Sequence, residues 1–125
     1  MLLDTCALLW LASGGGKLSE DALEKVDLSP SVFISAISAF EISLKYRKGK
    51  LELPVLPDKW FQVVLQHHDI SVISLDINVC IVANELPLIH KDPCDRLIIA
   101  TAMLHHFPVI TGDSMFEEYG VKVIS

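Results

Sequence analysis

Asp4, Glu41, Asp95 and Asp113 are the residues whose types and positions point to chemistry in this chain. Two of them fall on helix faces that should be apolar. Asp95 opens the stripe Asp95, Ile98, Ile99, Ala102, Met103, which shares one face of a helix entered through Asp92-Pro93. Pro93 suits a first helical turn, where its missing N–H has no partner to lose, and Asp92 then stands at the N-cap. Glu41 sits in the stripe Ile37, Phe40, Glu41, Leu44, Lys48. Asp4 follows the short apolar run Met1-Leu2-Leu3, and Asp113 follows Val109-Ile110-Thr111-Gly112. An acid on a core-facing side is costly unless something cationic meets it.

Each acid also has an ordinary explanation. Asp4 can cap a helix beginning at Thr5, Asp113 can serve a turn after Gly112, Glu41 can pair with Lys45 four residues on, and Asp95 can pair with Lys91 or Arg96. These explanations weaken when all four must hold together. Gathered carboxylates repel one another unless a cation neutralises them. Hard oxygen donors suit Mg²⁺ or Mn²⁺, and the chain has no competing cysteine–histidine set. Such a centre binds phosphodiesters and activates water against them. The hydroxyls of Thr5, Ser38 and Thr111, with Asp92, are candidates to support the acids, or else to cap and bond the backbone.

The elements must bring the four acids together. A strand at Met1–Leu3 is followed by a helix from about Cys6 to Ala12, broken at Ser13-Gly14-Gly15-Gly16. Ser19 caps a second helix, and Leu28–Pro30 is a connector. Val32–Ile34 is a strand, and a helix starting at Ser35 or Ser38 runs to Lys48. Asp58–His67 is helical, Ile70–Leu75 a strand, and Ile77–Leu86 a helix capped by Asp76. The Pro93 helix runs to about His106, Pro108–Thr111 is a strand, Phe116–Tyr119 one helical turn and Val121–Val123 a last strand. Short, wholly apolar strands alternating with helices indicate a parallel sheet covered on both faces. Its reactive end is the carboxyl end of the strands, where Asp4 and Asp113 fall.

The chain of 125 residues reads as one domain over 1–125. A formal charge of −6 argues against nucleic-acid binding by overall basicity, but two bound divalent ions bring it to −2. Lys45, Arg47, Lys48 and Lys50 are four of the ten basic residues. They follow Glu41 on one helix and its end, either as a solvated helix terminus or as a phosphate-backbone contact. Arg96, next to Asp95, joins them as a candidate RNA contact. Trp10 and Tyr46 offer base-stacking faces, although Trp10 fits core or interface better. Cys6, Cys80 and Cys94 lack metal-ligand spacing and are expected as reduced, mostly buried thiols. No apolar run spans a membrane and no leader is recognisable, so a soluble, cytoplasmic protein is expected.

Leu2-Leu3-Asp4-Thr5, Ile34-Ser35 to Glu41, Asp92-Pro93-Cys94-Asp95-Arg96-Leu97-Ile98-Ile99-Ala100 and Thr111-Gly112-Asp113 resemble a PIN domain of the VapC type, and the resemblance spans essentially the whole chain. It implies a three-layer α/β/α PIN-like fold with a short central parallel sheet. It also implies a Mg²⁺- or Mn²⁺-dependent endoribonuclease, the toxin of a type II toxin–antitoxin pair. Asp4, Glu41, Asp95 and Asp113 match the acidic quartet that holds metal in that family. The resemblance further implies an RNA substrate, a homodimer, and a small VapB-like antitoxin, which an exposed apolar surface around the early helices would suit. Relatives often carry His where Cys6 stands and Phe where Cys94 stands, neither a metal-holding position.

Two rivals come from other classes. A phosphatase of the haloacid dehalogenase type needs a second Asp two residues after the first, where this chain has Cys6. The alternative within the same fold is a non-catalytic RNA- or protein-binding module.

Overall fold

In the computed structural model, which describes residues 1–125, strands and helices alternate. In chain order they are β1 (Leu2–Leu3), α1 (Thr5–Ala12), α2 (Glu20–Leu28), β2 (Val32–Ser35), α3 (Ala36–Arg47) and α4 (Pro57–His67). β3 (Ile70–Ile73), α5 (Ile77–Glu85), α6 (Pro93–His105) and β4 (Val109–Ile110) follow, then a 3₁₀ helix (Ser114–Tyr119) and β5 (Val123–Ile124). The five strands form one parallel sheet in the order β3-β2-β1-β4-β5. The order reverses at β1, so a crevice opens between the carboxyl ends of β1 and β4.

Side chains alternate across the pleat and build two cores. Leu3, Val32, Ile34, Ile110 and Ile124 face α1, α2 and α4, through Leu8, Leu11, Val26, Trp60 and Val64. Leu2 and Val109 face α5 and α6, through Val79, Ala83, Ile98, Ile99 and Ala102. Helix α3 lies between, giving Ile42 to the first core and Ile37 to the second. A sheet buried on both faces makes the three layers, helices over sheet over helices.

The strands are shorter than the apolar runs that encode them. β1 has two residues, and β4 pairs only where it meets them, Leu2 with Val109 and Leu3 with Ile110. Pro108 and Thr111, expected inside that strand, lie outside it. β3 stops at Ile73, not Leu75, because its partner β2 turns into α3 after Ser35. The last strand is Val123–Ile124 and not Val121–Val123: Gly120, at φ +80°, ends the 3₁₀ helix, and Val121 packs into the core beside Phe116. Leu28, expected in a connector, closes α2.

The expected stripe on α3 is also corrected. Ile37 is buried as expected, but Phe40 and Leu44 are exposed, and the helix buries Ser38 and Ile42 instead. The thiols depart from expectation too, since Cys6 and Cys80 are exposed and Cys94 is half-buried. No helix is long and apolar enough to cross a membrane.

Candidate functional site

Local chain geometry delivers each of the four acids to the crevice. Asp4 leaves β1 and caps α1, its Oδ1 accepting the Ala7 N–H at 2.8 Å. Its Oδ2 accepts the Thr111 hydroxyl at 2.5 Å, across the gap between β1 and β4. Asp113 ends the loop after β4; its N–H donates to Thr111 Oγ1 at 3.0 Å and its Oδ1 accepts the Met115 N–H at 2.9 Å. Thr111 therefore ties together the two loops that carry Asp4 and Asp113. Asp95 lies in the first turn of α6, behind Asp92, whose Oδ1 caps the Cys94 N–H at 2.9 Å. Glu41 points in from α3, one helical turn before Lys45.

Asp4, Glu41, Asp92, Asp95 and Asp113 line one cleft of about 480 Å³. Lys45 is the single Lys or Arg among its lining residues, with its Nζ 3.4 Å from Glu41 Oε2. The other Glu41 oxygen, Oε1, is buried and has no hydrogen-bond partner. An orphaned buried carboxylate oxygen is costly unless something electropositive completes it. Burial, then the neighbouring charge of Asp92, pushes the Asp95 carboxyl up to about 7, against a pull downward from His90. Asp4 is also raised, by burial first and by Asp113 and Glu41 after its hydrogen bonds oppose the shift. Crowded carboxylates with too few cations are the electrostatic condition that a divalent ion relieves. The donor set is oxygen-rich, so the residues fit Mg²⁺ or Mn²⁺.

The capping explanation holds for Asp4 and Asp113: each caps a helical segment with Oδ1, while Oδ2 meets Thr111 Oγ1 in the first and His90 Nε2 in the second. Thr5 and Ser38 differ from Thr111: their hydroxyls bond each other at 2.9 Å and tie the start of α1 to α3, without touching a carboxylate. Asp92 is a cap that also lines the cleft.

Of the basic set, Lys45, Arg47, Lys48 and Lys50 are exposed at the end of α3 and just beyond, and only Lys45 reaches the cleft. Arg96 is corrected. It is 6% exposed, and its guanidinium donates to the carbonyls of Ala83, Leu86, Pro87 and His90 at 2.7–3.1 Å. The unpaired carbonyls at the end of α5 attract a fork of N–H donors, so the Arg96 guanidinium is held inside the fold. Tyr119 Oη, which donates to Pro87 O at 2.7 Å, completes this clamp.

Trp10 also lines the cleft. Its ring stands so close to Gly112 that a Cβ there would lie 3.1 Å from Cη2. Cys6 lines the cleft as well, and its thiol is raised by partial desolvation and then by Asp4. Cys94 is pushed up to about 11, by burial and then Glu41, and stays a thiol at neutral pH.

The residue missed in the sequence is His90. It is buried, and its Nε2 lies 2.9 Å from Asp113 Oδ2 and 3.1 Å from Asp95 Oδ2. A lone histidine two positions before Asp92 was the available signal, but it carried no periodicity to mark it.

Comparison with known proteins agrees with this architecture. The PIN domain family model matches residues 1–122. Ribonuclease VapC22 of Mycobacterium tuberculosis (strain ATCC 25618 / H37Rv) is 28% identical over 114 residues, covering 90% of this chain and 86% of that protein. VapBC2 from Rickettsia felis, solved with a DNA fragment from its promoter, matches with a TM-score of 0.72 at 15% identity, over 98% of this chain and 96% of that one. DNA-bound VapBC from Salmonella typhimurium matches with a TM-score of 0.70 at 20% identity, over 98% and 95%.

Proposed function

We propose that this chain, which belongs to the PIN domain family, is a metal-dependent endoribonuclease and the toxin of a toxin–antitoxin pair. The observation that carries the proposal is the cleft that Asp4, Glu41, Asp95 and Asp113 line together, with Glu41 Oε1 buried and unpartnered. The 28% identity to a ribonuclease supports the choice of RNA.

In this reading the four carboxylates hold Mg²⁺ or Mn²⁺. When bound, the ion supplies charge neutralisation of a phosphodiester and activation of a water for attack on phosphorus. The chain's own residues do the rest. Thr111 fixes Asp4, and the Thr5–Ser38 bond fixes α1 against α3, so the carboxylates are oriented before substrate arrives. Lys45, at the cleft wall, is placed to meet a phosphate oxygen. Arg47, Lys48 and Lys50 extend that positive edge along the backbone of a single strand.

Relatives of this fold were solved as VapBC assemblies, and one as a toxin–antitoxin complex from Klebsiella pneumoniae. A small antitoxin is accordingly the proposed protein partner. Its proposed seat is the groove of about 420 Å³ on α3 and the segment before α4, where Phe40, Leu44 and Leu56 are exposed. That apolar surface lies farther along the chain than the early helices. A second copy of the chain is the other proposed partner.

The test is incubation of the purified, partner-free protein with RNA and Mg²⁺ or Mn²⁺, beside an Asp4→Asn variant and a chelator control. Cleavage that needs the metal and is lost in the variant is expected. Asparagine caps helices as well as aspartate, so the loss would not reflect an unfolded α1. RNA binding without cleavage in the wild-type protein would reject the nuclease reading for the binding module.

A further inference from the structure

Asp95 and Asp113 are joined by a side chain that the acidic set does not explain. His90 Nε2 stands between their Oδ2 atoms, and the donor atoms of the three residues lie within 4.8 Å of one another. The opposite ring nitrogen settles what Nε2 carries. The Asp92 backbone N–H points at His90 Nδ1, 3.2 Å away, so Nδ1 accepts and bears no hydrogen. The hydrogen of the neutral ring is then on Nε2, the edge that the two carboxylates share. That N–H donates to Asp113 Oδ2 at 2.9 Å, and the same nitrogen stands 3.1 Å from Asp95 Oδ2.

The ring has little freedom to do anything else. It packs edge-to-face with the Phe116 ring, with centroids 6.1 Å apart and planes at 84°. Its own backbone N–H donates to Tyr119 Oη at 2.7 Å, and its carbonyl accepts from Arg96 Nη1 at 3.1 Å. A metal ion on Nε2 would require the lone pair there. The ring hydrogen would move to Nδ1, against the Asp92 N–H, and that bond would be lost.

We propose that His90 is a positioning residue: with its Nε2–H given to Asp113 and the same nitrogen 3.1 Å from Asp95, it sets the spacing of the two carboxylates before an ion arrives, and is not itself a ligand. The inference rests on Asp95 and Asp113 holding metal, as proposed above. Without that N–H, Asp113 loses its tether to the ring that abuts Asp95, and the spacing of the two acids is no longer fixed.

The test measures Mn²⁺ binding in the absence of RNA, by calorimetry and pulsed electron paramagnetic resonance, for wild type, His90→Gln and His90→Phe, with thermal melts in chelator. Glutamine keeps an N–H donor near the Nε2 position, whereas phenylalanine keeps only the ring. Mn²⁺ affinity is expected to fall on the order of 10–100-fold in His90→Phe and to be largely kept in His90→Gln. In the nuclease assay, the loss in His90→Phe should fall on kcat at fixed Mn²⁺ and be relieved by more Mn²⁺, with KM for RNA unchanged. Bound Mn²⁺ in the wild type should show no coupling to a histidine nitrogen. Such coupling would make His90 a ligand and overturn the proposal, as would Mn²⁺ affinity in His90→Phe within twofold of wild type. The wild-type spectrum requires no variant to fold. Wild-type protein that binds Mn²⁺ in this pattern yet cleaves no RNA would sink the nuclease reading and leave the role of His90 standing. Wild-type protein that binds no Mn²⁺ would sink both.

Discussion

Burial and the charge of Asp92 raise Asp95 from an ordinary 3.8 to about 7, which has opposite consequences for folding and for metal binding. Between these values the folded metal-free protein keeps a proton that the unfolded chain has lost. Its stability is therefore fully present below about pH 4 and falls as pH rises toward 7. The raised Asp4 adds a slope of the same sign. Metal needs the deprotonated acids, so Mn²⁺ affinity should rise through the same window. Asp95→Asn should flatten the slope and stabilise the metal-free protein at pH 8. The gain should be on the order of 1–2 kcal/mol, allowing for solvent screening of a partly exposed carboxyl. Cleavage should fall at least about a hundredfold, because a ligand is removed. Chelator-treated melts across pH, beside a cleavage assay, check both. Unchanged cleavage would remove Asp95 from the set. Arg96→Met should act in the opposite direction on stability. It leaves the Ala83, Leu86 and His90 carbonyls without this donor and should cost about 3 kcal/mol or more, read as a lower denaturation midpoint.

Among the elements, helices were legible because their start signals are local. Ser19, Ser35, Asp76 and Asp92 each accept a backbone N–H in the first turn of the helix they precede, as the residue types suggest. Strand ends were not legible, because a strand stops where its neighbour stops. The apolar run Pro108–Thr111 yields a two-residue β4 because its neighbours β1 and β5 each offer only two partners. The inward face of α3 was misjudged for a related reason. Which side of an amphipathic helix is covered depends on the layer above it, and nothing covers Phe40 and Leu44 within this chain. The basic end of the same helix gives a prediction. The double variant Lys48→Ala, Lys50→Ala changes two exposed residues and should leave the melting temperature within about a degree. KM for RNA should rise severalfold, with kcat little altered, and the salt dependence of RNA binding should become shallower by about one unit of log slope. An unchanged KM would mean that the substrate takes another path across the surface.

For the whole molecule, the proposed metal site would couple the fold to the ion through its four acids. They arrive from β1, α3, α6 and the loop after β4, so metal bound among them ties these segments together and stabilises only the folded state. Adding Mn²⁺ at about a hundred times its dissociation constant should stabilise the wild-type protein by about 2.7 kcal/mol. Asp4→Asn should lose most of that gain, as melts with and without metal would show. The sequence by itself determined the alternation of strands and helices, the helix caps and the identity of the acids, because propensity, capping and periodicity are written in neighbouring residues. Only the tertiary structure decided that Arg96 serves the end of α5, that the hydroxyls of Thr5 and Ser38 hold each other, and that His90 stands between Asp95 and Asp113. These are contacts between segments far apart in the chain or across a turn, where the partner of a charge is chosen by packing and not by spacing.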